Sequence, residues 1–192
     1  MTTLLATVYG VDPVLYAAHK LSASKLILFV DAEANKKQDE SVALIKASLG
    51  RIITIELITT EVYDVVSIAA KVAEVIDNEQ EKVCVSITSG RKTKALGLLF
   101  GAYARPEKVA KIVYYPEEKD QPPVYLPILK FALSDSQKQV LLQLENEIDS
   151  HAELAEKAGI SKAMVYRNIK ELQQMGLIEG MRLTDAGKMA GV

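Results

Sequence analysis

An arginine and a lysine stand side by side directly after a serine and a glycine in SITSGRKTKALG, residues 86–97. Hydroxyls, a glycine bend and paired cations ahead of a helical pattern are the makings of an anion site. Backbone amides around Thr88, Ser89 and Gly90 at a helix entrance offer donors and the positive end of the helix dipole. Arg91 can hold a phosphate through two parallel hydrogen bonds, and Lys92 adds a mobile charge. A second loop of similar kind, YGVDP at 9–13, follows the first apolar run. There Gly10 admits close approach and Tyr9 can stack on a base. Neither loop carries the three-glycine dinucleotide fingerprint or the glycine–lysine spacing of a phosphate-binding loop, so simple NAD or ATP use is not expected. Taken alone, SGRK describes a solvated helix start equally well, and the context has to decide.

These loops need a scaffold. Up to about residue 127 the chain alternates short apolar runs with longer amphipathic segments, the rhythm of a parallel sheet covered by helices. Strands are expected near 3–9, 25–30, 51–58, 82–88 and 111–115, rich in Val, Ile, Leu and Tyr. Their continuous apolar character suits strands buried on both faces. Helices are expected between them, with Val65, Ile68, Ala69, Val72 and Ile76 recurring at helical spacing. Asp12 before Pro13, and Asp64 before Val65, make helix starts, and Gly50 makes a stop. In a sheet of this class, ligands sit beyond the carboxyl ends of the strands, where both candidate loops fall. The stretch YYPEEKDQPPVYLPIL carries four of the six prolines and reads as a hairpin or extended arm over 116–127.

The remaining residues change rhythm to three helices and a glycine-punctuated end. In AELAEKAGISKAMVYRNIKELQQMGLI, a turn at Gly159 separates two helices, and Ser161 is placed to cap the second. Val165, Ile169 and Leu172 share an inward face, whereas Ser161, Lys162, Met164, Tyr166, Arg167 and Lys170 point outward, toward a DNA groove in a helix-turn-helix reading. Two short strands around Gly180 complete a wing from which Arg182 can reach the phosphate backbone. The segment resembles the winged helix-turn-helix domain of prokaryotic regulators, down to its LTDAG ending. From Ser134 on, seven Lys and Arg face nine Asp and Glu. A domain of that balance could serve dimerisation alone, but Lys162, Arg167, Lys170 and Arg182 cluster on one side, and phosphate neutralisation needs only that local field.

Composition narrows the classes further. The chain has 192 residues, net charge −2 and one cysteine. Indiscriminate nucleic-acid binding through a basic surface, internal disulfides and multi-cysteine metal sites are excluded. Cys84 in KVCVSI reads as a buried strand residue. No apolar run is long enough to span a bilayer and the first residues lack a basic leader, so a cytoplasmic location is expected.

Both halves together resemble the CRISPR-associated regulators that join a CARF domain, a Rossmann-like sensor, to a winged helix-turn-helix domain, the archaeal Csa-type transcription factors in particular. The likeness is carried by ATVYG ending the first strand, by SITSGRKTKALG after the fourth, and by the order of sensor then DNA reader. It implies a CARF-like ligand-sensing domain over 1–127, a linker at 128–133 and a DNA-binding domain over 134–192. It also implies a homodimer whose sensors share a pocket for a cyclic oligoadenylate, most often cyclic tetra-adenylate, as a regulatory ligand with no cofactor or metal. Carried over by position, Tyr9, Gly10 and Asp12 line one side of that pocket, and Thr88, Ser89, Gly90, Arg91 and Lys92 the other. Where the family often shows two glycines before the arginine, this chain has Ser89 and Gly90. The implied function is transcription regulation of CRISPR-associated genes at promoter DNA. The alternative is a ring nuclease that cleaves cyclic tetra-adenylate, with the winged helix as an accessory. Against it, His19 and His151, the two histidines, fall outside both pocket loops, and no paired carboxylates or metal-ligand spacings stand at the strand ends. No catalytic residue is therefore assigned. A regulator answering to another metabolite is the third possibility.

Overall fold

A computed structural model describes residues 2–33, 35–116, 118, 121–129 and 133–191. They form two compact units, Met1–Lys130 and Phe131–Val192. In the first, strands β1 (Thr3–Thr7), β2 (Lys25–Asp31), β3 (Thr54–Thr60), β4 (Val83–Ser86) and β5 (Val109–Tyr114) alternate with helices α1 (Val11–Lys20), α2 (Lys36–Leu49), α3 (Val65–Asn78) and α4 (Lys92–Ala104). The sheet runs β3-β2-β1-β4-β5-β6, parallel except for β6 (Val124–Leu126), which pairs antiparallel with β5. The winding direction reverses between β1 and β4, so the carboxyl ends of those two neighbours open onto the switch point where such sheets bind ligands.

Two apolar layers hold the sheet. Leu4, Ala6 and Val8 pack with Val14, Ala17, Val42 and Ile45 of α1 and α2 on one face. Leu5, Ile27 and Phe29 pack with Ile68, Val72, Leu98 and Ala102 of α3 and α4 on the other. The helical spacing of α3 is realised directly, with Ile68, Ala69, Val72 and Ile76 buried and the Asp64 side chain accepting from the Ser67 amide.

The structure adjusts the expected boundaries. Helix α1 starts one residue before the Asp12–Pro13 pair, with Gly10 as N-cap and no side-chain cap. Strand β3 begins at Thr54 rather than 51 because the amides of Ile52 and Ile53 both fold back onto the Leu49 carbonyl, at 2.8 and 2.9 Å, and spend residues 51–53 on ending α2. It is an edge strand with Leu57 exposed, so burial on both faces holds for β1, β2 and β4 but not here. Strand β4 stops at Ser86, short of 88. Its next amide, Ile87, still reaches Val113, but the amide of Tyr115 is taken by the Thr88 hydroxyl instead of the ladder. Of the proline-rich arm, 124–126 form the antiparallel β6, while 117, 119 and 120, like 130–132 of the expected linker, lie outside the described residues.

The second unit comprises α5 (Asp135–Glu145), α6 (His151–Lys157), α7 (Lys162–Gln174), the hairpin β7 (Ile178–Glu179) and β8 (Arg182–Leu183), and α8 (Asp185–Gly191). Ser134 and Gln137 form a reciprocal capping box at the start of α5. Leu141, Leu154, Val165, Leu172 and Ile178 meet in its core. Helices α6 and α7 both end on left-handed glycines, Gly159 at φ +65° and Gly176 at φ +71°. In each case the two following amides fold back onto the helix, Gly159 to Glu156 and Ile160 to Ala155, then Gly176 to Gln173 and Leu177 to Leu172. This double closure sets a sharp turn between α6 and α7 and launches the wing after α7.

Candidate ligand cleft and DNA-reading helix

In the first unit, the β4–α4 loop is sewn to its neighbours. Thr7 Oγ1 donates to the Ser89 carbonyl, and the Ser89 hydroxyl accepts from the amides of Tyr9 and Gly10 at 2.9 and 3.2 Å. On the other side Thr88 Oγ1 accepts from Tyr115 N at 2.9 Å. Gly90 holds φ +91°, and a Cβ there would lie 2.7 Å from Thr7 Cβ, so the turn needs glycine on both counts. Ser89 and Thr88 are therefore bracing groups as well as loop residues, and the Tyr9 and Gly10 amides are already engaged within the protein.

Beyond this frame opens a cleft of about 400 Å³ lined by Tyr9, Tyr63, Gly90, Arg91, Lys92 and Thr93. Arg91 is the N-cap of α4; its Nε donates to Asp31 Oδ2 at 3.2 Å and its Nη1 to the Tyr63 hydroxyl at 3.2 Å. Lys92 is exposed and begins the helix, whose first-turn amides have no carbonyl one turn back to bond. The ring of Tyr9 carries Lys37 Nζ 4.3 Å from its centroid. Asp12 is exposed on the first turn of α1, beside Gly10 but outside the cleft lining. Another depression, of about 520 Å³, lies by Ser24 and Thr54 at the amino ends of β2 and β3, away from the switch point.

Four residues of this region lay outside the sequence reading. Asp31 ends β2 with only 1% of its side chain exposed, and Lys94, equally buried, lies 3.0 Å from its Oδ1. Lys94 also donates to Thr60 Oγ1 at 2.9 Å and to the Val30 carbonyl. Burial opposes ionisation of Asp31, but the ion pair with Lys94 and hydrogen bonds from Asn35 and Arg91 outweigh it and hold the carboxyl below its usual range. Burial also lowers the ammonium of Lys94, with Asp31 opposing. Tyr63 stands 69% exposed at the rim. Its loop is pinned to α4 by the Thr93 hydroxyl, which donates to the Val62 carbonyl at 2.6 Å. Gln38 bridges the ends of β1 and β2, donating to the Val8 carbonyl and accepting from the Asp31 amide. The arrangement gathers one buried carboxylate and two cations beside a cleft whose lining includes Tyr9 and Tyr63.

In the second unit, Ser161 caps α7 by accepting from the Met164 amide at 3.2 Å. Lys162, Met164, Tyr166, Arg167 and Lys170 are exposed along one side of the helix and Arg182 is exposed on β8, while Val165, Ile169 and Leu172 are buried. Arg167 is not a bare cation: its Nε donates to Glu171 Oε1 at 2.8 Å, and Gln137 holds the other oxygen at 2.8 Å. His151, from the start of α6, stacks on Tyr166 with centroids 4.3 Å apart. His19 lies exposed on the last turn of α1. The wing hairpin is closed from outside by Thr184, whose hydroxyl donates to the Gly176 carbonyl at 2.7 Å. The Asp185 that follows starts α8.

No helix among the described residues is long and apolar enough to cross a membrane. Comparison with known proteins places both units. The model of the winged helix-turn-helix DNA-binding family (HTH_24) matches residues 150–179, which span α6, the Gly159 turn, α7 and β7. Among solved structures, Can2 from Sulfobacillus thermosulfidooxidans, determined in complex with cyclic tetra-adenylate, superposes with TM-score 0.55 at 13% identity. That alignment covers 98% of this chain and 62% of Can2, so the chain spans less than two thirds of its length. A type III CRISPR defence DNA nuclease activated by cyclic oligoadenylate aligns with TM-score 0.48 and 13% identity over 91% of this chain and 35% of that one. No curated protein matches the sequence. The expected architecture, a Rossmann-like unit followed by a winged helix, thus holds for the fold and for the order of the two units. With its model matching residues 4–120, more than half of the sequence, the chain belongs to the HFX_2341-like N-terminal family (HFX_2341_N), followed here by a winged helix-turn-helix.

Proposed function

We propose that this chain is a DNA-binding transcription regulator controlled by a cyclic oligoadenylate, acting as a homodimer on promoters of CRISPR-associated genes in the cytoplasm. The observation that carries the reading is the cleft at the β1/β4 switch point, which Arg91 and Lys92 at the start of α4 line together with Tyr9 and Tyr63. Cations and helix amides suit phosphates, and exposed tyrosines suit bases. Can2, which shares the fold, was determined with cyclic tetra-adenylate bound, which supports that ligand here. At about 400 Å³ the cleft is at the small end of ligand sites, and a ring of four nucleotides outgrows it. Two copies related by a dyad would supply repeated phosphate and base sites to a two-fold ring. The face of Lys162, Met164, Tyr166, Arg167 and Lys170, with Ser161 at its head and Arg182 on the wing, is the DNA reader.

Calorimetric titration with cyclic tetra-adenylate tests the reading, with and without promoter DNA. We expect binding at one ring per two chains, loss of about tenfold or more in affinity with Arg91→Ala, and an altered DNA affinity in the presence of the ring. Chromatography of the recovered ring separates a sensor, which returns it intact, from a ring nuclease, which linearises it. Wild-type protein that ignores the ring refutes the assignment of ligand.

A further inference from the structure

Lys94 stands on the third residue of α4, yet only 1% of its side chain is exposed. A buried ammonium is unfavourable unless it is paired and hydrogen-bonded. Here it lies 3.0 Å from Asp31 Oδ1 and donates to Thr60 Oγ1 and the Val30 carbonyl. The carboxylate of Asp31 therefore has a counter-charge that never sees solvent. Arg91, with 37% of its side chain exposed, is a second cation on the same carboxylate. When Arg91 leaves, Asp31 is still paired.

We propose that Lys94 is a positioning residue of the anion site: by neutralising Asp31 permanently, it allows Arg91 to exchange that carboxylate for a ligand phosphate. The proposal rests on the nucleotide-sensing reading and names what makes its central cation available. Asp31 and Tyr63 hold the guanidinium at the cleft, and a phosphate takes it over on binding. Without Lys94, Arg91 becomes the sole counter-charge of a buried carboxylate, and its departure strands that charge in a low-dielectric site. Binding then weakens although Lys94 itself touches no ligand.

A double-mutant cycle on the full-length protein decides the matter, read by calorimetry with cyclic tetra-adenylate and, separately, with tripolyphosphate. Arg91→Ala and Lys94→Met are each expected to lose about tenfold in affinity, the scale of one charge-assisted hydrogen bond. The double variant is expected to lose no more than either alone, because a detained arginine has nothing left to contribute. Asp31→Asn combined with Lys94→Met, a neutral pair of similar volume, is expected to fold and to bind within about threefold of wild type, since no buried carboxylate then detains Arg91. Losses that multiply in the Arg91→Ala/Lys94→Met double variant, an unaffected Lys94→Met, or no recovery in a folded Asp31→Asn/Lys94→Met overturn the proposal. Wild-type protein that takes tripolyphosphate but not the ring defeats the nucleotide reading alone, and the same cycle with tripolyphosphate still judges Lys94. Binding of neither probe defeats both.

Discussion

Replacing Gly90 by alanine tests whether the cleft is held by the geometry described. Two penalties add there. At φ +91° an L side chain is strained, by about 1–2 kcal/mol for a left-handed backbone. A Cβ would also sit 2.7 Å from Thr7 Cβ and 3.1 Å from Thr7 Oγ1, an overlap with the root of the side chain on the last residue of β1 rather than with a flexible side-chain end. Overpacking of that kind typically costs about 1–3 kcal/mol. The sum is about 2–5 kcal/mol, a large part of the stability of a domain this size. Gly10→Ala is the internal control, because Gly10 has an extended φ of −129° and a Cβ there would meet only Pro13 Cδ at 3.9 Å. It should lose less than about 1 kcal/mol, the difference between glycine and alanine as an N-cap. Urea unfolding followed by circular dichroism measures both, with hydrogen exchange on β1 and β4 peptides assigning the loss to the first unit. A Gly90→Ala loss below about 1 kcal/mol would show that the loop does not press on Thr7, and the bracing of the cleft would have to be abandoned.

Acid should weaken the first unit through Asp31 and through Glu79, which accepts from Lys25 Nζ and Thr3 Oγ1 at 2.8 Å each; both carboxyls are held below their ordinary range against the opposing effect of burial. The unfolded chain takes up those protons first as pH drops through about 4, so the stabilisation present at neutral pH is lost below it; a urea midpoint unchanged between pH 7 and pH 3 would contradict this. Glu171→Gln should raise promoter affinity by freeing Arg167 and removing a negative charge from the reading face, whereas Arg167→Ala should lower it and flatten its salt dependence, both seen by fluorescence anisotropy. Leu172→Ala, at a fully buried position of α7, should cost the second unit about 2–5 kcal/mol in urea unfolding. Cys84, whose thiol is pushed up by burial, should react with a disulfide reagent only as fast as the first unit opens, and an immediate reaction would place it at the surface.

The parts legible in the sequence were those governed by short-range rules. The spacing of Ile68, Val72 and Ile76, the cap at Asp64 and the Gly159 turn after α6 are local physics, and each appears where its pattern lies. The charge pairing of the cleft is not local. Asp31 and Arg91 are 60 residues apart, and only the order β2-β1-β4 brings their loops to the same end of the sheet. A signal was nonetheless present: Lys94 falls four residues before Leu98 on the apolar side of α4, and a lysine on that stripe demands a buried partner. Aspartate at the end of KLILFVD is the matching mark. Tyr63 carried no such sign, since a tyrosine after a strand has no pattern until its neighbours are known. The exposed face of β3 was missed because strand order, which makes an edge, is a property of the whole sheet.

The Ser89 hydroxyl, accepting from two amides of the neighbouring loop at 2.9 and 3.2 Å, makes the mouth of the cleft a single stiff lip rather than two wandering ones. A guest arriving there would meet two loops already fixed to each other, so that little backbone ordering entropy is surrendered at docking. A tug on either loop is shared by the first helix and the fourth together. A cut or insertion anywhere along that rim would therefore be felt as a loss of grip across the whole opening, not as the loss of one contact.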